Sequence, residues 1–240
     1  MRLDKYLADC GVGTRSEIKK WVRQGLAQVK GVEKPKPETQ IDPKTAEVTF
    51  QGESLRYREF IYLLLNKPAG YISATWDAKL PTVLDLVPEE YLHFEPFPVG
   101  RLDIDTEGLC LITNDGQLAH RLLSPNKHIP KTYQATVAGC VTEADKEAFL
   151  KGVTLDDGYK TKPAQLTILS AGEVSEIELI ITEGKFHQVK RMFEAVGKTV
   201  TYLKRTAMNC LCLPEDMELG EIRELTKEEL WQLEQREIDT

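Results

Sequence analysis

The chain has 240 residues, of which 41% are hydrophobic and 29% are charged, a composition typical of a globular protein with one large domain or a large and a small one. This composition excludes the collagen-like, disordered and disulfide-scaffold classes. No apolar run reaches the roughly 18 residues of a membrane span, and the charged start MRLDKYLADC lacks a secretory pattern. With five scattered cysteines, we expect a cytoplasmic protein with reduced thiols and no membrane partner.

The net charge of −7 argues by itself against a nucleic-acid partner, but the charge is unevenly distributed. Residues 1–34 carry eight basic and four acidic side chains, whereas residues 35–240 carry 23 basic and 34 acidic ones. Such a contrast in charge between two parts of a chain is better evidence about its partners than the net charge is, and it indicates that an anionic partner binds the basic segment. The alternative is a solvated basic surface.

Two short helices are predicted in the basic segment. Apolar residues recur at helical spacing over residues 3–10, and Thr14 with Glu17 has the capping-box pattern that starts a second helix ending at Gln24. A strand at residues 27–29 follows. The exposed face of this unit is basic and suits phosphate contacts to RNA. Its candidate RNA-binding residues are Arg2, Lys5, Arg15, Lys19, Lys20 and Arg23.

The remaining pattern predicts an α+β protein. The small helix-helix-strand domain spans residues 1–52, and a polar linker spans residues 53–59. A larger domain spans residues 60–240 and has a mixed, largely antiparallel sheet flanked by helices. The predicted strands are Ala46–Phe50, Phe60–Leu65, Phe97–Val99, Leu109–Thr113, Thr132–Ala138, Gln165–Leu169, Ser175–Ile181 and Thr199–Arg205. The predicted helices are Gln117–Leu123, Glu143–Lys151, Phe186–Val196 and Lys227–Gln235.

Common cofactor patterns are missing from the sequence. The four histidines lack metal-ligand spacing, and Cys210 with Cys212 has no second pair to complete a tetrahedral site. There is no phosphate-binding loop, dinucleotide fingerprint or G-x-S-x-G segment. We therefore expect no metal, nucleotide or other cofactor.

One candidate catalytic segment is GRLDIDTEG, residues 100–108, in which glycines bracket a turn that exposes Asp103. The alternative is a turn carboxylate that binds local backbone amides. A cation, Lys131, and an aromatic ring, Tyr133, lie two residues apart. The segment EGKFHQVKRM, residues 183–192, adds further cations. Together they suggest a phosphate-binding cleft in an acidic domain.

These segments carry a family resemblance. Residues 2–5, 14–17, 23–25 and 29–31 resemble an S4 RNA-binding domain, with Lys30 where that domain usually has Asn or Asp. The order of KPAG (residues 67–70), GRLD (100–103), KTY (131–133) and EGKFHQVKRMFEAVG (183–197) resembles the RsuA-type pseudouridine synthases over residues 1–231. Within that family the sequence is most similar to members that modify small-subunit (16S) ribosomal RNA.

The resemblance implies that a uridine is isomerised to pseudouridine by a catalytic Asp103, with Tyr133 stacked on the uracil and Lys185 against the Asp103 carboxylate. Asp105 is interpreted as structural. Further RNA contacts are predicted at Arg101, Lys131, Lys190 and Arg191, the last two with the RNA backbone. The residues leave open whether Asp103 attacks C1′, attacks C6 or removes the C2′ proton.

The implied partner is ribosomal RNA, either free or in a small-subunit assembly intermediate, and we expect a monomer. Two other interpretations stay open: a large-subunit ribosomal RNA pseudouridine synthase, and a non-catalytic ribosome-assembly factor with a synthase-like shell. A nucleoside or glycan hydrolase is disfavoured because it needs a second acid to protonate the departing group.

Overall fold

The computed structural model describes residues 1–235, which divide into two compact units. Residues 1–61 form the first unit together with the short segment Pro88–Pro96, and the rest of the described chain forms the second. In residues 1–235 no helix is both long enough and apolar enough to cross a bilayer.

The first unit contains two helices and a small antiparallel sheet. Helices α1 (Leu3–Asp9) and α2 (Arg15–Arg23) precede strands β1 (Ala27–Val29), β2 (Val48–Phe50) and β3 (Glu53–Leu55), in the order β1-β2-β3. The capping box predicted at the start of α2 is present: Thr14 N–H donates to Glu17 Oε2 at 3.0 Å, and Glu17 N–H donates to Thr14 Oγ1 at 3.4 Å. The apolar faces of both helices are buried against the sheet in one core.

The prediction that residues 53–59 form a linker is wrong for its first three residues. Glu53–Leu55 is strand β3, which pairs in antiparallel register with β2 after the tight turn at Gln51 and Gly52. The segment is polar because it lies at a sheet edge, where only part of its surface is buried. A second difference is helix α3 (Glu89–Leu92), which lies far along the chain but belongs to the first unit.

The second unit is built on one large mixed sheet. Its strands are β4 (Tyr62–Lys67), β5 (Phe97–Pro98), β6 (Glu107–Thr113), β7 (Lys131–Ala138), β8 (Gln165–Ser170), β9 (Val174–Ile181), β10 (Thr199–Met208), β11 (Leu211–Cys212) and β12 (Ile222–Glu224). The order is β12-β4-β6-β10-β7-β9-β8, with β5 beside β6 and β11 beside β10. Within the described chain, β6 and β10 form its only parallel pair, which confirms a mixed, largely antiparallel sheet.

Helices cover this sheet. They are α4 (Gly116–Leu123), α5 (Glu143–Lys151), α6 (Gln188–Glu194) and α7 (Lys227–Gln235), and two 3₁₀ turns lie at Val83–Leu86 and Pro125–Lys127. Asp115 caps α4 by accepting the amides of Gln117 and Leu118, both at 3.0 Å. Helix α6 starts two residues later than predicted, because His187 has φ 48° and cannot continue a right-handed helix.

The close approach of β6 and β10 depends on Gly108. This residue has φ 101°, and a Cβ atom there would lie 2.2 Å from the carbonyl oxygen of Arg205 on β10. The row Gly108, Arg205 and Tyr133 runs across three adjacent strands. This row connects the loop that leads into β6 with the strand that carries Tyr133.

Candidate active site

Asp103 lies in the loop between β5 and β6, and 24% of its side chain is exposed. The loop closes through Thr106 N–H, which donates to the main-chain oxygen of Asp103 at 3.1 Å. Among the described residues, no backbone N–H donates to the Asp103 carboxylate, whereas the Asp77 carboxylate accepts two amides in its own turn. Asp103 is therefore not held as an ordinary turn-capping carboxylate, and its oxygens face other side chains.

A buried lysine holds the main chain of this loop. Lys67, at the end of β4, is 0% exposed, and its Nζ donates to the carbonyl oxygens of Pro68, Asp103, Ile104 and Thr106 at 3.1, 3.1, 3.3 and 2.8 Å. Burial lowers the pKa of Lys67, although nearby acidic groups oppose that shift. Several carbonyl dipoles around one ammonium group offset part of its desolvation cost. Lys67 thereby fixes the main chain on both sides of Asp103.

Ser73 also holds this loop, through the main chain of Leu102. Its Oγ accepts the N–H of Leu102 at 3.0 Å and donates to the carbonyl oxygen of Leu102 at 3.1 Å. The N–H of Gly70 donates to the carbonyl oxygen of Ile104 at 2.7 Å. The residues on either side of Asp103 thus have defined partners, which pre-organises the carboxylate before any ligand binds.

Two nitrogen-bearing side chains from the region of α6 face the Asp103 carboxylate. Lys190 Nζ lies 3.6 Å from Asp103 Oδ2, and His187 Nε2 lies 3.7 Å from Oδ1. Lys190 also binds Asp105 at 2.6 and 2.8 Å, and this hydrogen bond lowers the pKa of Asp105. Asp105 therefore holds the cation that faces Asp103.

Lys185 does not lie against Asp103, and that prediction is wrong. Its ammonium group lies over the ring of Tyr159, 4.7 Å from the centroid, and it forms no ion pair with Asp103 in the part of the chain described. The physical reason is the conformation of the loop before α6, in which the N–H of Lys185 donates to Gln188 Oε1. Lys185 lies in the preceding loop, and the first turn of the helix instead directs Lys190 towards the carboxylate.

A buried hydrogen-bond network fixes the loop before α6. Glu183, only 7% exposed, accepts hydrogen bonds from Tyr159 Oη at 2.6 Å, Lys162 N at 2.9 Å and Gln188 Nε2 at 2.7 Å. Gln188 Oε1 accepts the N–H of Lys185 at 2.8 Å. The hydrogen bond to Glu183 raises the pKa of Tyr159. This network holds residues 183–188 in the conformation that brings His187 and Lys190 to Asp103.

Tyr133 and Lys131 line one face of the sheet. Tyr133 is 8% exposed and lies opposite Arg205 in the β7–β10 pairing, and residues directly opposite each other share a face. Lys131, two residues earlier on β7, points to the same side. Burial, and next the positive charge of Arg205, lower the pKa of Lys131 to about 8. With strands about 4.8 Å apart, Tyr133 lies roughly 10 Å from Gly108 across two strand spacings.

The other predicted RNA-binding residues differ in their present partners. Arg101 is exposed, whereas Arg191 forms ion pairs with Asp156 and Asp157, which raise its pKa. In the first unit, Arg2 pairs with Asp4 and Lys5 with Asp9. The remaining four basic residues are exposed and form no ion pair with any described residue. They are Arg15, Lys19, Lys20 and Arg23.

Several residues that build this site were missed by the sequence reasoning. Lys67 lies inside a recognised motif, but its role depends on the return of the chain at residues 103–106. Ser73 and Tyr159 carry no local pattern, and Glu183 opens the fourth motif but was given no role there. The signal that could have been used for His187 is its position between a Gly-Lys turn and a basic helix.

The fold and the site define a class of protein. The family model described as RNA pseudouridylate synthase matches residues 61–195, more than half of the chain. The chain belongs to this family of pseudouridine synthases.

Individual relatives match almost the whole chain. The chain is 51% identical over 231 residues to the uncharacterized RNA pseudouridine synthase YtzG of Bacillus subtilis (strain 168), and the match covers 96% of this chain and 97% of the relative. It is 39% identical over 235 residues to the ribosomal small subunit pseudouridine synthase A of Haemophilus influenzae, covering 97% and 99%. A crystal structure of a pseudouridylate synthase superimposes with a TM-score of 0.68 at 38% identity, covering 97% and 99%.

Proposed function

We propose that this enzyme isomerises one uridine of small-subunit ribosomal RNA to pseudouridine, with Asp103 as the catalytic residue. The observation that carries the proposal is the position of Asp103: a partly exposed carboxylate on a loop held by Lys67 and Ser73, with His187 and Lys190 at its two oxygens. The names of several relatives that match over most of their length support the small-subunit target.

The chemistry needs a single carboxylate. The C1′–N1 bond breaks, the uracil turns, a C1′–C5 bond forms, and the C5 proton is lost while N1 gains one, so the composition of the RNA is unchanged. The departing uracil carries its charge on its own carbonyl oxygens, so no second acid is needed, in contrast to a glycosidase. Lys190 Nζ, 3.6 Å from Asp103 Oδ2, orients the carboxylate as a nucleophile or a base.

Tyr133 supports the proposal as a base-stacking residue. It shares a face of the sheet with Arg205 and Lys131, in the row that begins at Gly108. Its ring stacks on the uracil, and its hydroxyl group assists removal of the C5 proton after the new bond has formed. Before this, the target base leaves its stack in the RNA, at a cost of a few kcal/mol.

The first unit serves as the RNA-binding module in this proposal, and the second unit serves as the catalytic domain. It has the helix-helix-strand order of an S4-like domain, and α2 exposes four basic side chains without ion pairs to described residues. They contact RNA phosphates, as do Arg101, two residues before Asp103, and Lys131 at the start of β7. Arg2, Lys5 and Arg191 contribute less, because aspartates already neutralise them.

The test combines pseudouridine mapping with a substitution at Asp103. Small-subunit ribosomal RNA and its assembly intermediates are incubated with the enzyme, and pseudouridine is mapped chemically. We expect Asp103→Asn to abolish the product because the amide is neither nucleophile nor base, while RNA affinity changes less than about threefold. Asp156→Asn, in the exposed pair with Arg191, is the matched control and retains activity.

Cells that lack the protein identify the target. Loss of one pseudouridine from small-subunit RNA is expected. Loss from large-subunit RNA would overturn the target but leave the reaction intact. Product formation by Asp103→Asn would overturn the assigned mechanism.

A further inference from the structure

Phe186 is an exposed aromatic residue next to the catalytic carboxylate. Its side chain is 73% exposed, and its ring stacks on the imidazole of His187 with centroids 3.8 Å apart and planes inclined by 18°. The same imidazole reaches Asp103 at 3.7 Å. The Phe186 ring therefore covers one face of the imidazole whose Nε2 atom faces the Asp103 carboxylate.

The loop that exposes Phe186 is pre-organised. The preceding N–H, of Lys185, donates to Gln188, and Gln188 is bound in turn by the buried Glu183. The following residue, His187, has φ 48°, a conformation that costs a non-glycine residue about 1 kcal/mol or more. A large apolar side chain is thus held out towards solvent by a network of hydrogen bonds.

The charges around this ring match a nucleic acid. Lys185, His187 and Lys190 lie on the same short segment as Phe186, and His187 and Lys190 supply nitrogen-bearing groups on the side that faces Asp103. Proteins that bind single-stranded RNA combine aromatic rings that stack on bases with cations that bind the backbone. A site for an apolar protein segment would not place the ring among cations and beside a carboxylate.

We propose that Phe186 stacks on a nucleobase that flanks the target uridine and so holds the RNA strand when the target is out of its stack. The stacked base is a neighbour and not the target itself, because Tyr133 is the residue that stacks on the target uracil in the proposed function, and His187 already covers one face of the Phe186 ring. This inference rests on the proposed function for the identity of the RNA.

The test measures binding separately from turnover. The probes are a short RNA containing the mapped uridine and four variants of it. Each variant has a single abasic residue, at one of the two positions before the uridine or one of the two positions after it. Affinities are measured for Asp103→Asn, which does not turn over, alone and combined with Phe186→Leu or Phe186→Tyr. Trp231→Leu, which removes a ring 54% exposed on α7, is the control.

We expect Phe186→Leu to weaken binding of the intact RNA by about 5- to 100-fold, and Phe186→Tyr and Trp231→Leu by less than about threefold. At one flanking position, the abasic RNA should bind equally weakly to the proteins with and without the Phe186→Leu change, because each alteration removes the same stack. Additive effects at every position would overturn the proposal, as would unchanged binding by Phe186→Leu. Because binding is measured without turnover, a failure of stacking is distinguished from a failure of pseudouridine formation.

Discussion

Two residues of the same segment, Lys185 and Lys190, differ in what they do at the site. Lys190 lies 3.6 Å from the Asp103 carboxylate and is held by Asp105, whereas Lys185 is exposed and lies over Tyr159. We expect Lys190→Gln to lower kcat about fivefold or more, since a cation at this distance from a carboxylate is worth at least about 1 kcal/mol. We expect Lys185→Gln to leave kcat within about twofold and to raise KM.

Single-turnover rates at saturating RNA measure the difference between these two variants. Equal losses of kcat would show that the cation facing Asp103 changes when RNA binds. A larger loss in Lys185→Gln would restore the role that the sequence predicted for Lys185.

Lys131 predicts a pH dependence of RNA binding. Burial lowers its pKa to about 8, so the ammonium group is charged below pH 8 and neutral above it. Because the positive charge favours RNA, we expect Kd to rise up to about tenfold between pH 7 and pH 9. Lys131→Arg keeps its charge over this range and should flatten the profile. Titration of Kd in both proteins at constant ionic strength is the measurement, and parallel profiles would exclude Lys131 as the titrating group.

At the scale of elements, the pairing of β6 with β10 depends on one glycine. Gly108→Ala places a Cβ atom 2.2 Å from the main-chain oxygen of Arg205 at a positive φ, so strands must separate. We expect a loss of about 2–5 kcal/mol in the free energy of unfolding, from overpacking and left-handed strain together. Urea denaturation measures it.

Gly116→Ala is the matched control for this prediction. Gly116 is the first residue of α4, has no atom within 4 Å of an added Cβ, and does not have a positive φ. An alanine there should be neutral or stabilise the protein by up to about 1 kcal/mol. Equal stability of the two variants would contradict the role assigned to Gly108.

The elements also show how far local pattern predicts the fold. The nine predicted strands are present within three residues of their expected bounds, and the longer ones, such as β7 and β9, show an apolar alternation that is readable locally. The strands β3, β11 and β12 were missed. Each has two or three residues and exists because a neighbouring strand offers backbone partners, which no local periodicity encodes.

At the scale of the whole molecule, RNA binding should depend on salt despite the net charge of −7. The basic side chains of α2 form no ion pairs with described residues, so they release counterions when they bind RNA phosphates. Lys5 is already paired with Asp9 and should release fewer. We expect Lys19→Gln combined with Lys20→Gln to reduce the slope of log K against log salt by about 1.5, with kcat at saturating RNA unchanged. Lys5→Gln is the control and should change the slope by less than about 0.5.

Filter binding between about 50 and 300 mM KCl measures these slopes. An unchanged slope in the double variant would remove α2 from the RNA interface. A fall in kcat at saturating RNA would instead show that α2 acts beyond binding.

The sequence by itself determined the α+β class, most long elements and the position of Asp103, because apolar periodicity, caps and glycine-bounded turns are local properties of the chain. Only the tertiary structure decided which groups surround Asp103. Lys67, Ser73 and Lys190 come from segments 30 to 87 residues away from it along the chain. Their contacts depend on strand order and on the left-handed turn at His187, after which α6 begins and carries Lys190. The cations of this segment were visible in the sequence, but which of them faces Asp103 depends on how the loop and α6 pack against the catalytic loop.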